Sequence, residues 1–210
     1  TLLTQNFQSA IAPWTLANTN VAAVAWTLRA SPYSASSENI NSGSQFVLSH
    51  SDAGGSGSSG TTTITSPAFS TVGYTTANLN FRHYFRYYGS DAANVEVYNG
   101  AGWVTLSTYS GSSQGAYNSF ANVNISLNAY VGIANVQVRF RYVSSWGYSW
   151  SIDDISVTGT TAPVAFSWAW TSTPGGFTSA LQNPTANPAV ATTYNLTVTQ
   201  TTSGCTGSNS

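Results

Sequence analysis

Asn78-Leu79-Asn80-Phe81-Arg82-His83-Tyr84-Phe85-Arg86-Tyr87-Tyr88 is the stretch that decides the fold class. Leu79, Phe81, His83, Phe85 and Tyr87 alternate with Asn80, Arg82, Tyr84, Arg86 and Tyr88. Successive side chains of a strand point to opposite faces. The first set is therefore expected to face a core and the second a surface. Asn135–Val143 repeats the pattern, with Val136, Val138, Phe140 and Tyr142 opposite Gln137, Arg139 and Arg141.

Working outward, further strand signals fall at 44–50, 61–66, 94–98, 103–108, 120–127 and 150–158, separated by Gly, Ser and Asn turns. Asn99-Gly100 reads as a hairpin turn in which both residues take positive φ. No stretch sustains a helical period, so the chain is expected to be all-β. Composition shifts after Gly159, where Thr160-Thr161-Ala162-Pro163 looks like a linker. Two segments are expected, 1–159 and 160–210.

The composition excludes several functions. Only 5% of the 210 residues are charged, against about 25% in an ordinary globular protein. The five cationic residues are all arginines, and net charge is −1. No basic stripe exists for nucleic acid, and no 18-residue apolar run for a membrane span. General acid–base chemistry has few groups to draw on. Serine and threonine number 32 and 28. Such an uncharged polar surface tolerates salt and drying, tends to self-associate, and points to the cell exterior. Without lysine, exposed strand edges lack their usual protection. One cysteine, Cys205, has no internal disulfide partner.

An ordered set of motifs is similar to the cleaved-adhesin or choice-of-anchor J family of MAM-like jelly rolls. It comprises Gln5-Asn6-Phe7-Gln8, Pro13-Trp14, Ser66-Pro67-Ala68-Phe69, Leu79–Tyr87, Val95–Tyr98 with Gly102-Trp103, and Trp150–Val157. The resemblance covers about residues 1–159 and implies an extracellular jelly-roll β-sandwich. Beyond it, Ser167-Trp168, Gly176–Ser179, Asn183-Pro184, Tyr194–Thr199 and Gly204-Cys205-Thr206 resemble the second half of an Ig-like or PKD-like repeat of surface proteins exported by the type IX route. An Ig-like sandwich takes about 100 residues, and this segment has about 50. A half sandwich leaves an open edge and an apolar face. Either another chain completes it by strand addition, making a homo-polymer, or the tail folds back on the first domain. Phe7 in Thr1–Gln8, or Tyr194, Leu196 and Val198 in Tyr194–Thr199, would supply the joining strand.

The candidate sites follow. In the resembled family an acid after the opening Phe and the closing Asp pair help bind structural Ca²⁺, which implies Gln8, Asp153 and Asp154 here. Gln8 stands where an acid is common and brings no charge; otherwise Asp154 caps a turn or pairs with Arg. Asp153 and Asp154 should face opposite sides of their strand, which argues against a glycosidase pair. Arg82 and Arg86 would form an Arg–Tyr patch with Tyr84 and Tyr88, joined by Arg139 and Arg141 if the strands are neighbours. Trp146 and Tyr148 suit stacking on sugar rings, with Arg86 and Tyr84 beside them, while Trp150 belongs to the core. His50 and Asp52 with a serine invite a triad reading, but no nucleophile motif supports it.

Three functions fit these features. The first is a non-catalytic structural or adhesive repeat of a surface filament, joined by strand exchange. The second is a carbohydrate-binding module. The third is an accessory domain of a secreted protease.

Overall fold

The computed structural model describes residues 1–201 and 205–209; Gly204 of the tail motif lies outside them. The chain divides into two compact units, Thr1–Thr161 and Ala162–Ser210.

The first unit contains β1 (Leu3–Gln5), β2 (Thr15–Asn18), β3 (Thr27–Arg29), β4 (Tyr33–Ala35), β5 (Glu38–Ile40), β6 (Phe46–His50), β7 (Ser59–Thr65), β8 (Tyr74–Arg86), β9 (Ala92–Tyr98), β10 (Trp103–Tyr109), β11 (Ala121–Ser126), β12 (Gln137–Ser145) and β13 (Ser149–Thr161). One sheet runs β11-β8-β13-β6-β3, with β1 also on β13, and the other β10-β9-β12-β7-β2. All these pairings are antiparallel. The result is a β-sandwich of the jelly-roll kind, as the alternation implies.

Between the sheets lies an aromatic core around Trp150, which is fully buried. Its ring centroid is 5.5 Å from Trp26, 5.8 Å from Phe140 and 6.4 Å from both Phe85 and Tyr142. Leu79, Phe81, His83 and Phe85 all face inward, each at most 2% exposed. His83 Nδ1 accepts the Trp150 indole N–H at 3.1 Å, so the histidine is a satisfied core residue.

The structure departs from the sequence expectations at four points. Tyr84, assigned to the surface, is only 9% exposed. The β4–β5 hairpin and Phe120 cover that end of the sheet, forming a small second core of Ile40, Phe46, Leu48, Tyr84 and Phe120. Asp153 and Asp154 do not face opposite sides. A bulge interrupts the β13–β8 register there and Asp154 has φ +49°, so both carboxylates reach Arg82. The bulge falls where the partner of β13 changes, from β6 at 149–152 to β1 at 155–157. The two arginine pairs lie in different sheets, Arg82 and Arg86 on β8 and Arg139 and Arg141 on β12, so they form no joint patch. At the 99–102 turn only Gly100 has positive φ, at +89°. Asn99 instead accepts the N–H groups of Ala101 and Gly102 through its side-chain oxygen.

Among the described residues the second unit is a single sheet. It comprises β14 (Phe166–Thr173), β15 (Thr178–Ser179), β16 (Thr193–Gln200) and β17 (Thr206–Asn209), in the order β15-β14-β16-β17. None of its described residues is buried, and Phe166, Leu181 and Val190 are exposed. A sheet without a second layer has no core.

Candidate ligand-binding surface

Arg86 is the hub of the surface. As the last residue of β8, it leaves the sheet beside the loop that joins β12 to β13. Its guanidinium carbon lies 3.6 Å from the centroid of the Tyr148 ring, a cation–π contact. Its Nη1 donates to the Ser37 carbonyl at 2.5 Å and stands 3.5 Å from Glu38 Oε1. Glu38 is 2% exposed and also accepts the Ser149 hydroxyl at 2.9 Å. Burial raises the Glu38 pKa, while Ser149 and Arg86 pull it down.

Tyr148 packs edge-on against Tyr88, their centroids 5.4 Å apart at 67°. Tyr88 and Trp146 are about half exposed, at 51% and 45%. With Asp52 and Gly147 these rings line a cleft of about 210 Å³. Arg86 also borders a second groove of about 300 Å³, lined by Ser37, Glu38, Asn39, Tyr84 and Tyr117. The four residues expected to bind ligand are thus placed together: Trp146 and Tyr148 in one cleft, Arg86 stacked on Tyr148, and Tyr84 across Arg86. Sequence reading missed Glu38, Ser37 and Tyr117. Glu38 had one available signal: with only six acids in the chain, an acid beside Ile40 invites a search for its arginine.

The His50–Asp52 pair makes no catalytic relay. His50 Nδ1 meets the Tyr33 hydroxyl at 3.2 Å, and Asp52 accepts the Ser37 hydroxyl at 2.8 Å. Burial lowers the His50 pKa, with nearby Asp52 opposing.

The residues named for Ca²⁺ are otherwise engaged. Asp153 is fully buried and accepts from Ser44 at 2.7 Å and from Arg82 at 3.1 Å. Asp154 accepts from Arg82 Nε at 2.8 Å. The Gln8 amide donates to the carbonyls of Asn6 and Gln45. Among the described residues no three His, Cys, Asp or Glu side chains gather as a metal site. A cation between the two aspartates would meet the Arg82 guanidinium, so the donor set does not fit calcium.

The expected joining residues are also placed elsewhere. Phe7 is fully buried in the core of the first unit. Tyr194, Leu196 and Val198 lie on β16, which pairs with β14 on one side and β17 on the other. From Leu196 to Thr199 the backbone of β16 is flanked on both sides, so strand addition there would have to displace β17.

No protein-family model matches the sequence, and no curated protein does. Solved structures do share the fold. The K1 cleaved adhesin domain of Lys-gingipain from Porphyromonas gingivalis W83 matches with a TM-score of 0.55 at 16% identity, over 75% of this chain and 98% of that one. The K3 domain of the same protein matches at 0.51 and 15%, over 74% and 97%. TmCBM61, solved in complex with beta-1,4-galactotriose, matches at 0.50 and 12%, over 74% and 99%. At these identities the likeness is one of fold, an adhesin-like β-sandwich.

Proposed function

We propose that the first unit is a non-catalytic extracellular binding domain that holds a glycan against Trp146, Tyr148 and Tyr88 beside Arg86. The observation that carries this reading is the cleft itself. Two half-exposed rings and a third fixed by a guanidinium stand over an open hollow with Asp52 at its edge. The C–H faces of a sugar pack on aromatic planes, and its hydroxyls suit guanidinium and carboxylate groups. Such shallow sites bind weakly, because little of the ligand is enclosed. Adhesin domains and a galactotriose-binding module among the proteins of like fold support the reading.

The test is a glycan array followed by affinity electrophoresis in β-1,4-galactan and in the array's strongest hit. Retention of the wild-type chain, reduced at least about tenfold by Trp146→Ala, is expected. No glycan retained, or retention unchanged in Trp146→Ala, would overturn it.

A second reading is a repeat of a surface filament or adhesin, with the cleaved-adhesin-like unit followed by a partial Ig-like one. The single-layered second unit favours it, since its exposed Phe166, Leu181 and Val190 would gain from a second layer. With β16 internal, the joining edge would be β17. Negative-stain electron microscopy decides: uniform filaments support it, and dispersed particles at high protein concentration sink it.

A further inference from the structure

We propose that Asp91 is the positioning residue of the Trp146–Tyr148 surface, a buried carboxylate that fixes the backbone carrying both rings. The proposal relies on the glycan reading for what the rings do, and on geometry alone for what Asp91 does to them.

Asp91 directly precedes β9 and is fully buried. One carboxylate oxygen, Oδ2, accepts the Tyr142 hydroxyl at 2.5 Å. The other, Oδ1, accepts the backbone N–H of Ser145 at 3.0 Å. Tyr142 is itself fully buried, and its ring packs on Phe85 and Trp150. The acid therefore ties the start of the loop to the aromatic core.

The loop then passes directly over the acid. A Cβ on Gly147 would lie 1.4 Å from Asp91 Oδ2 and 2.1 Å from its Cγ, so only glycine can cross there. Trp146 has φ +49°, a left-handed conformation that tryptophan rarely adopts. Its N–H donates to the Ser58 carbonyl at 2.8 Å, and the Gly147 N–H donates to Ser51 Oγ at 3.1 Å. The Tyr148 carbonyl accepts the Asp52 N–H at 3.1 Å. One backbone group on each of Trp146, Gly147 and Tyr148 thus has a fixed partner, and Asp91 holds the Ser145 N–H that precedes them. Strained backbone of this sort persists only where its surroundings over-determine it.

Burial raises the Asp91 pKa, and the bonds from Tyr142 and Ser145 oppose that rise. A carboxylate in such a place is costly to keep, and an apolar side chain would pack there without that cost. What an apolar side chain would not do is hold the Ser145 N–H and leave room for the Gly147 crossing. Removing the carboxylate strands the Ser145 N–H away from water, leaves the Tyr142 hydroxyl to its Ser51 neighbour, and removes the floor beneath the loop. The rings then sample many directions, and apparent affinity falls with the fraction that remains aligned.

The experiment uses the full chain labelled with 5-fluorotryptophan, with the Trp146 line identified by Trp146→Phe. Asp91→Ala is expected to shift or broaden the Trp146 resonance while those of Trp26 and Trp150 stay in place. Retention by β-1,4-galactan should fall about tenfold. Asp91→Asn keeps an acceptor for Ser145 and a polar partner for Tyr142, and should restore both signals. Gly147→Ala presses on the same contact from the other side, leaves Asp91 intact, and should move the Trp146 line as well. An unmoved Trp146 line in Asp91→Ala and Gly147→Ala would overturn the proposal. So would a joint shift of the Trp26 and Trp150 lines in both, which would make Asp91 a residue of the whole fold. A wild-type chain that ignores galactan and every array glycan strikes the glycan reading alone, because the fluorine spectra still report what Asp91 holds.

Discussion

Arg86 covers the Tyr148 ring at 3.6 Å and, through Nη1, faces the buried Glu38 carboxylate at 3.5 Å. One guanidinium thus braces a ring of the candidate surface and neutralises an acid beneath it. Arg86→Ala should cost about 2 kcal/mol, because it leaves Glu38 with Ser149 as its remaining side-chain partner; Arg86 is itself 30% exposed, so solvent screens part of the pair. Adding Glu38→Gln should recover most of that loss. Urea unfolding of the four members of the cycle checks this. Equal losses in Arg86→Ala with and without Glu38→Gln would mean that the arginine acts through packing alone.

His83 makes stability depend on pH. Burial lowers its pKa from 6.5 to about 4. A depressed pKa means that the folded state prefers the neutral ring. The stability it contributes is therefore complete above about pH 6.5 and is lost as pH falls toward 4, by roughly 3 kcal/mol. Protonation would also end the Trp150 N–H bond to Nδ1. Glu38, Asp91 and Asp153 have raised pKa values, so their contributions run the other way and shrink as pH rises. The stability difference between the wild type and His83→Gln should narrow between pH 6.5 and 4. A constant difference over that range would show that the folded chain binds the His83 proton as readily as the unfolded one, so that its pKa is not lowered.

Trp150 and Trp146 should respond oppositely to truncation. Trp150 is 0% exposed among five ring partners, and Trp146 is 45% exposed. Trp150→Ala should cost about 3–5 kcal/mol. Trp146→Ala should change stability by under about 0.5 kcal/mol while reducing retention by glycan at least about tenfold. Thermal unfolding and affinity electrophoresis on the same two variants separate the roles.

Arg82 should determine the response to calcium. The wild-type melting temperature is expected to be the same in calcium chloride and in chelator, since Arg82 already pairs with Asp153 and Asp154. Arg82→Ala should be destabilised, and calcium should restore part of the loss. A calcium-dependent rise in the wild type would show that the ion displaces Arg82.

Much of the first unit was legible in the chain because period-two alternation directly reports burial. Leu79, Phe81, His83 and Phe85, like Val138, Phe140 and Tyr142, take the core face that their spacing implies. The short strands β1 to β5 carried no such signal. With three or four residues each, they are held by their partners rather than by their own pattern. Of the candidate surface, Trp146 and Tyr148 were legible as aromatics in a Gly- and Ser-bearing loop. Glu38 and Ser37 were not, because they reach Arg86 from 48 and 49 residues away in sequence.

Alternation, turn residues and a near absence of helical period were sufficient to make this an all-β chain, because those properties act between neighbours in sequence. Which arginine meets which acid was a matter of register and layer. A bulge turned Asp154 toward Arg82, a hairpin covered Tyr84, and different sheets parted Arg82 and Arg86 from Arg139 and Arg141. Tertiary structure alone decides such pairings, since electrostatic and packing energies depend on distance through space, and one residue of slip reverses every face of a strand.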